Sequence, residues 1–125
     1  MEKRVLGIGA SPRKRGNSDL LLAHILDGAA ALDCFTAPVH LRDYRFAPCI
    51  GCEKCRKDKA CTGLYDGMSL LYPMILESRA LVLVSPTHTY NVSALMKAFI
   101  DRLYCFYDFS RDRPRRWQSR LAGQR

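Results

Sequence analysis

Long apolar runs are missing from this sequence. No stretch approaches the roughly 20 apolar residues that a membrane-spanning helix requires. The first apolar run stops at Gly7 and Gly9 and has no small-residue cleavage site, so it does not resemble a secretory signal. We therefore expect a soluble, cytoplasmic protein without a membrane partner. In that compartment thiols stay reduced, and clustered cysteines more often bind metals or take part in catalysis than form disulfides.

Two nucleotide-binding motifs are also missing. No G-x-x-x-x-G-K-[ST] segment occurs, which excludes a P-loop protein. The Rossmann pattern G-x-G-x-x-G begins at Gly7 and Gly9 but ends in Pro12, so the dinucleotide fingerprint fails. Any phosphorylated ligand must therefore be bound by a loop of another kind.

Acidic residues are too few to balance the basic ones. The chain has 12 acidic and 20 basic side chains and a net charge of +8, with basic residues gathered near both ends. Such a charge suits nucleic acid, a phosphorylated cofactor or an anionic partner protein. Nucleic acid is disfavoured because no helix-turn-helix, zinc-finger spacing or aromatic RNA-binding motif accompanies the charge. The basic aromatic tail, residues 107–125, is interpreted either as a solvated segment or as cover for a neighbouring subunit.

Three apolar runs alternate with helical patterns in the order expected of an α/β protein. "RVLGIGAS", "LDCFTAPVHL" and "ALVLVSP" are typical of strands, whereas "SDLLLAHILDGA", "DGMSLLYPMILES" and "NVSALMKAFIDRLYCF" are typical of helices. Ser18 is the predicted N-cap of the first helix and Gly28 its predicted end, and Pro73 is expected to split the second helix. The pattern predicts a single domain over residues 1–125 with a doubly wound parallel sheet.

Only three of the strands of such a sheet are found in this sequence. Three strands leave an open edge, and an open edge invites pairing with another chain. We therefore expect either a C-terminally truncated chain or a partner subunit that covers the edge.

Ligands of parallel sheets bind at the carboxyl ends of the strands. Two loops, "ASPRKRGNSD" and "SPTHTYNVS", follow the first and third strands. The first offers hydroxyls, an amide, a guanidinium and a helix N-terminus, which together suit a terminal phosphate, although a polar turn with an N-cap would look the same. The second offers backbone polar groups and the flat side chains of His88 and Tyr90, which suit a planar ring. A planar aromatic cofactor with a phosphate tail would fit both loops.

Four of the cysteines form a compact set, Cys49, Cys52, Cys55 and Cys61. Zinc sites usually take two C-x2-C pairs well apart in sequence, whereas this set is closer to the ferredoxin pattern that ligates a cubane cluster. Gly51 fits a backbone wrapped closely around a cluster, and the nearby lysines and arginine would offset its charge. A [4Fe-4S] cluster, redox-active thiols and zinc remain open on these residues.

The segments "GIGASPRKRGNSDLLL" and "LVLVSPTHTYNVSALMKAFIDR", with the cysteine loop between them, resemble the flavodoxin-like NADPH-dependent FMN reductase family, and within it the iron-sulfur flavoproteins. The resemblance covers residues 4–104. It implies five parallel strands, FMN as cofactor, and a [4Fe-4S] cluster on the four cysteines. The implied phosphate-binding residues are Ser11, Arg13, Asn17 and Ser18; the implied ring-lining residues are Pro86, Thr87, His88, Thr89, Tyr90, Asn91 and Ser93.

The sequence also departs from the family pattern. His88 stands where the family usually has tyrosine, and the later loops that help to bind flavin and pyridine nucleotide have no counterpart here. Asp101 and Arg102 match the end of a helix in the family and are interpreted as an exposed charge pair.

The resulting hypothesis is an FMN-dependent oxidoreductase that passes electrons between the cluster and FMN. No side chain is assigned a catalytic role, because the cofactors carry the reaction. The resemblance implies a homodimer or homotetramer, and the electron donor or acceptor is a small protein or NAD(P)H. The alternatives are a cluster-free NAD(P)H-dependent FMN or quinone reductase, and a zinc-stabilised basic module that binds nucleic acid.

Overall fold

A computed structural model describes residues 2–109 and 117–121 of the chain. In these residues a three-stranded parallel sheet is formed by β1 (Arg4–Gly9), β2 (Phe35–His40) and β3 (Ala80–Val84). The helices are α1 (Asn17–Ala30), α2 (Cys55–Asp58), α3 (Met68–Glu77) and α4 (Ala94–Asp101). Short 3-10 turns cover Leu41–Asp43 and Arg102–Phe106, and two small hairpins pair β4 (Thr87–His88) with β5 (Asn91–Val92) and β6 (Tyr107–Asp108) with β7 (Gln118–Ser119).

Strand β1 is the middle strand of the sheet, in the order β2-β1-β3. Gly9, at its carboxyl end, lies beside His40 of β2 and Val84 of β3. The three strands therefore end at one edge, and the loops that follow them start side by side. Pro38 is tolerated because β2 pairs only with β1 in the described residues and is an edge strand.

Helices cover both faces of the sheet, as the sequence predicts. Leu6 and Ile8 of β1 face a core with buried residues of α3 and α4, including Leu71 and Phe99. The opposite face packs on α1 through Leu22 and its neighbours. The predicted α/β fold is confirmed.

Gly7 sets the distance between β1 and α1. A Cβ atom at Gly7 would lie 2.7 Å from Leu22 Cδ1 and 2.9 Å from Leu26 Cδ1, which is closer than carbon atoms approach. The glycine that opens the failed Rossmann pattern is therefore a packing residue.

Three local predictions about helix ends are wrong. Helix α1 begins at Asn17 with Gly16 as its N-cap, so Ser18 lies inside the helix, and it continues past Gly28 to Ala30. Helix α3 runs through Pro73 without a break. Its apolar face, with Met68, Leu71 and Ile75 fully buried, is continuous across the proline, and burial of that face outweighs the lost hydrogen bond.

No helix in the described ranges is long and apolar enough to cross a membrane.

Candidate functional site

The two predicted ligand loops lie side by side at the carboxyl edge of the sheet. The Ala10 amide donates a 2.9 Å hydrogen bond to the carbonyl of Val84, which continues the ladder between β1 and β3 into the loops. The Ser93 hydroxyl donates a 2.7 Å bond to the carbonyl of Ala10. The structure thus brings the predicted phosphate loop and the predicted ring-lining segment together.

Ser93 connects these loops through buried hydrogen bonds. Its side chain is 1% exposed and also caps α4, accepting a 3.2 Å bond from the Met96 amide. Its own amide donates a 2.9 Å bond to Ser85 Oγ. The Ser93 hydroxyl is therefore engaged within the protein, and in this structure its function is to hold the loop after β3 against β1.

The first loop turns sharply into the N-terminus of α1. Ser11 is buried, and its hydroxyl accepts a 3.2 Å bond from the Arg13 amide and donates a 3.0 Å bond to the Arg13 carbonyl. Arg15 has a φ of 58°, in the left-handed region that non-glycine residues seldom adopt. No side chain caps α1 in the described residues, so amides of its first turn are not taken up by a capping side chain. Such an end suits an anion.

Arg42 lies outside this loop and stabilises it through hydrogen bonds. Its guanidinium donates two short hydrogen bonds, of 3.0 and 2.7 Å, to the two carboxylate oxygens of Asp19 in the first turn of α1. The hydrogen bonds from Arg42 hold the pKa of Asp19 at about 2, against the opposing effect of burial. Sequence reasoning missed this pair, because Arg42 belongs to no motif and lies 23 positions from Asp19, the last residue of the first loop.

The second loop is a tight hairpin whose tip is exposed. His88 pairs with Asn91, and the two residues between them, Thr89 and Tyr90, have φ values of 48° and 62°. Two successive positive φ angles are the geometry of a type I′ turn, which glycine or asparagine usually supplies. The Tyr90 side chain is fully exposed, so a flat ring has unobstructed access to it.

The four clustered cysteines line one cavity of about 350 Å³. Cys49 and Cys52 are exposed, Cys55 and Cys61 are partly buried, and all four thiols are free. Buried Cys105 also borders the cavity, and burial raises its pKa to about 11, so it stays protonated at neutral pH. The structure thus gathers the cysteines that the sequence grouped and adds one that it did not.

Two N–H groups point at sulfur atoms in this cavity. The Gly51 amide lies 3.4 Å from Cys49 Sγ, and an Arg102 Nη2 group lies 3.5 Å from Cys61 Sγ. Burial raises the pKa of Cys55, and negative charge on Cys61, Cys49 and Cys52 raises it further. N–H donors of this kind stabilise thiolate ligands.

Glycines shape the cysteine loop in two ways. A Cβ atom at Gly63 would lie only 2.5 Å from Cys52 Sγ, so this glycine makes room for the sulfur. Gly51 has a φ of 68°, with open space where its Cβ would be. Its backbone conformation, and not the close approach that the sequence suggested, is the reason for glycine at this position.

Arg102 corrects the prediction of an exposed charge pair. Its side chain is only 1% exposed, and it donates 2.7 and 3.0 Å bonds to Asp66 and a 2.8 Å bond to the Ala47 carbonyl. Burial acts to lower the pKa of Arg102, and the hydrogen bonds to Asp66, together with the interactions with Tyr72 and Cys61, raise it overall. Asp101, in contrast, pairs with Lys97 on the exposed side of α4. Arg102 therefore joins the start and the end of the cysteine segment beneath the cavity.

The basic side chains of the cysteine loop contact the segment after α4. Arg56 donates a 2.9 Å bond to the Tyr104 hydroxyl and stacks 4.3 Å from the centroid of the Phe109 ring. Lys59 forms a 3.2 Å ion pair with Asp108. The aromatic residues that begin the predicted tail thus pack against the cysteine loop. Residues 110–116 and 122–125 of that tail lie outside the described residues.

The thiols face a common cavity but are not drawn together as a formed metal site. In the part of the chain that the structure describes, no three cysteine, histidine or acidic side chains are close enough to one another to hold a metal ion. The donor set is nevertheless the one that a cysteine-ligated cluster requires: four thiols on one cavity, with N–H groups directed at two of them.

Sequence relatives of the chain include iron-sulfur flavoproteins of two archaea. The protein of Methanocaldococcus jannaschii is 33% identical over 99 residues, which cover 79% of this chain and 51% of the relative. One from Archaeoglobus fulgidus is 35% identical over 100 residues, which cover 80% of this chain and 45% of the relative. The chain spans about half the length of these curated relatives.

Solved structures of the same fold include Smu.1420 from Streptococcus mutans, with a TM-score of 0.74, 17% identity, and coverage of 97% of this chain and 63% of that one. An FMN-dependent NADH-azoreductase from Bacillus anthracis, solved in complex with FMN, has a TM-score of 0.67 and 17% identity. The match covers 98% of this chain and 66% of the azoreductase. These likenesses agree with the fold described above.

The family model described as NADPH-dependent FMN reductase matches residues 3–123, nearly the whole chain. The chain belongs to the NADPH-dependent FMN reductase family and is similar to its iron-sulfur flavoproteins.

Proposed function

We propose that the protein is a flavin-dependent oxidoreductase that binds FMN at the carboxyl edge of the sheet and passes electrons between FMN and a [4Fe-4S] cluster held by Cys49, Cys52, Cys55 and Cys61. The observation that carries the proposal is the placement of four free cysteines on one cavity, one helix away from two loops suited to a phosphate and a planar ring. When bound, FMN accepts or donates electrons singly or in pairs and the cluster does so singly.

The FMN part of the proposal is supported by the two loops. The N-terminus of α1 and the polar residues Ser11, Arg13, Asn17 and Ser18 suit the phosphate, and the hairpin of β4 and β5 suits the flat ring. The family to which the chain belongs and the FMN complex of the azoreductase support the same cofactor.

The cluster part is supported by the donor set and by the names of the sequence relatives. Arg102 places a permanent positive charge beside Cys61, and the Gly51 amide is directed at Cys49. Both groups would stabilise negative charge on ligating sulfurs. In this reading the protein supplies position and electrostatics, and no side chain transfers a proton.

Helix α4 connects the two proposed cofactor sites. Ser93 at its N-terminus is tied to the flavin loops, and Arg102 directly after its C-terminus borders the cysteine cavity. Eight helical residues at 1.5 Å rise span about 12 Å. A rigid helix of this length keeps the separation between the two sites constant.

The proposal is tested by an anaerobic visible spectrum with iron, acid-labile sulfide and FMN quantified on the same sample. Four irons, four sulfides and one FMN per chain are expected. Flavin without iron would instead identify a cluster-free NAD(P)H-dependent FMN or quinone reductase. Zinc without flavin would identify the zinc-stabilised basic module, and binding of a polyanion at low salt would then be measured.

A pair of serine variants tests whether Cys55 is a ligand of the cluster. Cys55→Ser removes a thiol from the cavity, and we expect iron content to fall below half of the wild-type value while FMN content is retained. Cys34→Ser is the matched control, because Cys34 lies just before β2 and does not line the cavity. Equal iron loss in both variants would contradict the assignment.

We further propose that the electron donor or acceptor is NAD(P)H or a small redox protein, that the protein assembles as a homodimer or homotetramer, and that it does not bind nucleic acid. The first point is measured by the rate of flavin bleaching on addition of NADPH or NADH without oxygen. The second is measured by light scattering of the cofactor-loaded protein. A monomer at all concentrations would contradict the oligomer.

A further inference from the structure

Arg42 lies outside both loops, yet its guanidinium forms hydrogen bonds with three residues of the phosphate loop, Ser11, Arg13 and Asp19. It sits in the 3-10 turn after β2, and its side chain is 13% exposed. Its Nη1 group donates bonds of 3.1 Å to the Ser11 carbonyl and 3.2 Å to the Arg13 carbonyl, besides those to Asp19. One guanidinium thus binds the two ends of the turn.

The carbonyl contacts determine which backbone groups remain for a ligand. A phosphate dianion is attracted by N–H groups and repelled by carbonyl oxygens. Arg42 holds the Ser11 and Arg13 carbonyls on its own side of the loop. The loop can then present N–H groups to the ligand without those two oxygens near it.

The carboxylate of Asp19 would disfavour a phosphate at the same helix end. It lies in the first turn of α1, where the helix dipole favours a negative charge, so its carboxylate competes with a phosphate for the same helix end. Its Oδ2 atom also accepts a 2.9 Å bond from the Arg15 amide, and its Oδ1 atom lies 3.5 Å from His40 Nδ1. The bidentate ion pair with Arg42 neutralises this charge and keeps Asp19 in place, where it accepts the hydrogen bond from the loop.

We propose that Arg42 is a positioning residue for the FMN phosphate: it neutralises Asp19 and withdraws the Ser11 and Arg13 carbonyls, so that the loop is formed before the cofactor binds. The inference rests on the proposed FMN site. It predicts that Arg42 affects binding of the phosphate and not binding of the flavin ring.

The test compares FMN with riboflavin, which lacks the phosphate. Dissociation constants of both are measured by flavin fluorescence for the wild type, Arg42→Met and the control Arg4→Met, whose arginine forms exposed ion pairs at the other end of β1. For Arg42→Met we expect the FMN constant to rise at least tenfold and the riboflavin constant to stay within twofold. The double variant Arg42→Met with Asp19→Asn should recover part of the FMN loss, because the uncompensated carboxylate is gone.

Arg42→Lys is measured as well, since it keeps the positive charge but cannot form the fork. We expect an intermediate rise in the FMN constant of about threefold or more. An unchanged FMN constant in both Arg42 variants, or an equal rise for FMN and riboflavin, would overturn the inference. So would a wild-type protein that binds riboflavin as tightly as FMN.

A flavin-free measurement separates this inference from the proposed function. Amide hydrogen exchange over residues 11–17 should be at least tenfold faster in Arg42→Met than in Arg4→Met, because the loop has lost its hydrogen bonds to Arg42. If the wild type binds neither flavin, the proposed function fails, and exchange alone decides whether Arg42 forms the loop. Equal exchange in the two variants would refute the positioning role.

Discussion

Replacing Arg102 by methionine tests the buried ion pair beneath the cysteine cavity. The substitution removes the 2.7 and 3.0 Å bonds to Asp66, the 2.8 Å bond to the Ala47 carbonyl and the contact with Cys61. Removing one partner of a buried ion pair typically costs about 3 to 5 kcal/mol, because the other charge is left uncompensated. Asp66 keeps the bonds from the amides of Ala47 and Met68, so we expect the lower end, about 3 kcal/mol.

The assay is urea unfolding followed by circular dichroism. With a slope of about 2 kcal/mol per molar urea, a loss of about 3 kcal/mol lowers the midpoint by about 1.5 M. Arg4→Met is the matched control, since its side chain is 45% exposed and exposed ion pairs contribute about 1 kcal/mol at most. The double variant Arg102→Met with Asp66→Asn should be more stable than the sum of the two single changes implies. A loss below 1 kcal/mol for Arg102→Met, or one equal to that of Arg4→Met, would refute the reasoning.

Three further outcomes follow from the structure. Gly7→Ala should destabilise the protein by about 1 to 3 kcal/mol in the same unfolding assay, because its Cβ would lie 2.7 Å from Leu22 Cδ1. Gly28→Ala is the control: a Cβ there would have nothing within 4 Å, so this variant should be neutral or stabilising. Equal losses of stability in the two variants would argue against the packing role of Gly7. Ser93→Ala should cost about 1 to 2 kcal/mol and loosen the hairpin loop, measured by urea unfolding and amide exchange, because it removes an N-cap and a buried bond to the neighbouring loop. The pKa of Asp19 is lowered from 3.8 to about 2, so its contribution to stability is present above about pH 4 and is lost as the pH falls towards 2. In Asp19→Asn, the free energy of unfolding should therefore change less with pH between 4 and 2 than it does in the wild type. A pH dependence parallel to that of the wild type would contradict the assignment.

Much of the fold follows from local pattern. Buried strands read as continuous apolar runs and helices as apolar stripes, and their alternation is sufficient to predict a parallel sheet covered on both faces. The helix ends were predicted less well. Pro73 is a local signal for a break, but the buried face of α3 continues past it to Ile75, and packing outweighs a local preference. Helix α1 extends two residues beyond Gly28, to Ala30.

The placement of the two ligand loops and the grouping of the four cysteines could be predicted from the sequence. Parallel strands end at one edge, so loops after neighbouring strands meet whatever their length, and cysteines separated by two to five residues share one short segment. The ring-lining and phosphate-binding residues taken from the family resemblance remain predictions, as do the four cysteine ligands.

Which charged residues support these sites depends on contacts that form in three dimensions. Arg42 meets Asp19 across 23 positions and Arg102 meets Asp66 across 36, and in each pair the two residues come from different elements. A charged residue in a sequence is ordinarily exposed, and nothing in its neighbours along the chain shows that it will be buried against a partner. Cys105 entered the cysteine cavity for the same reason: its neighbours in space are set by how α4 packs, not by spacing along the chain.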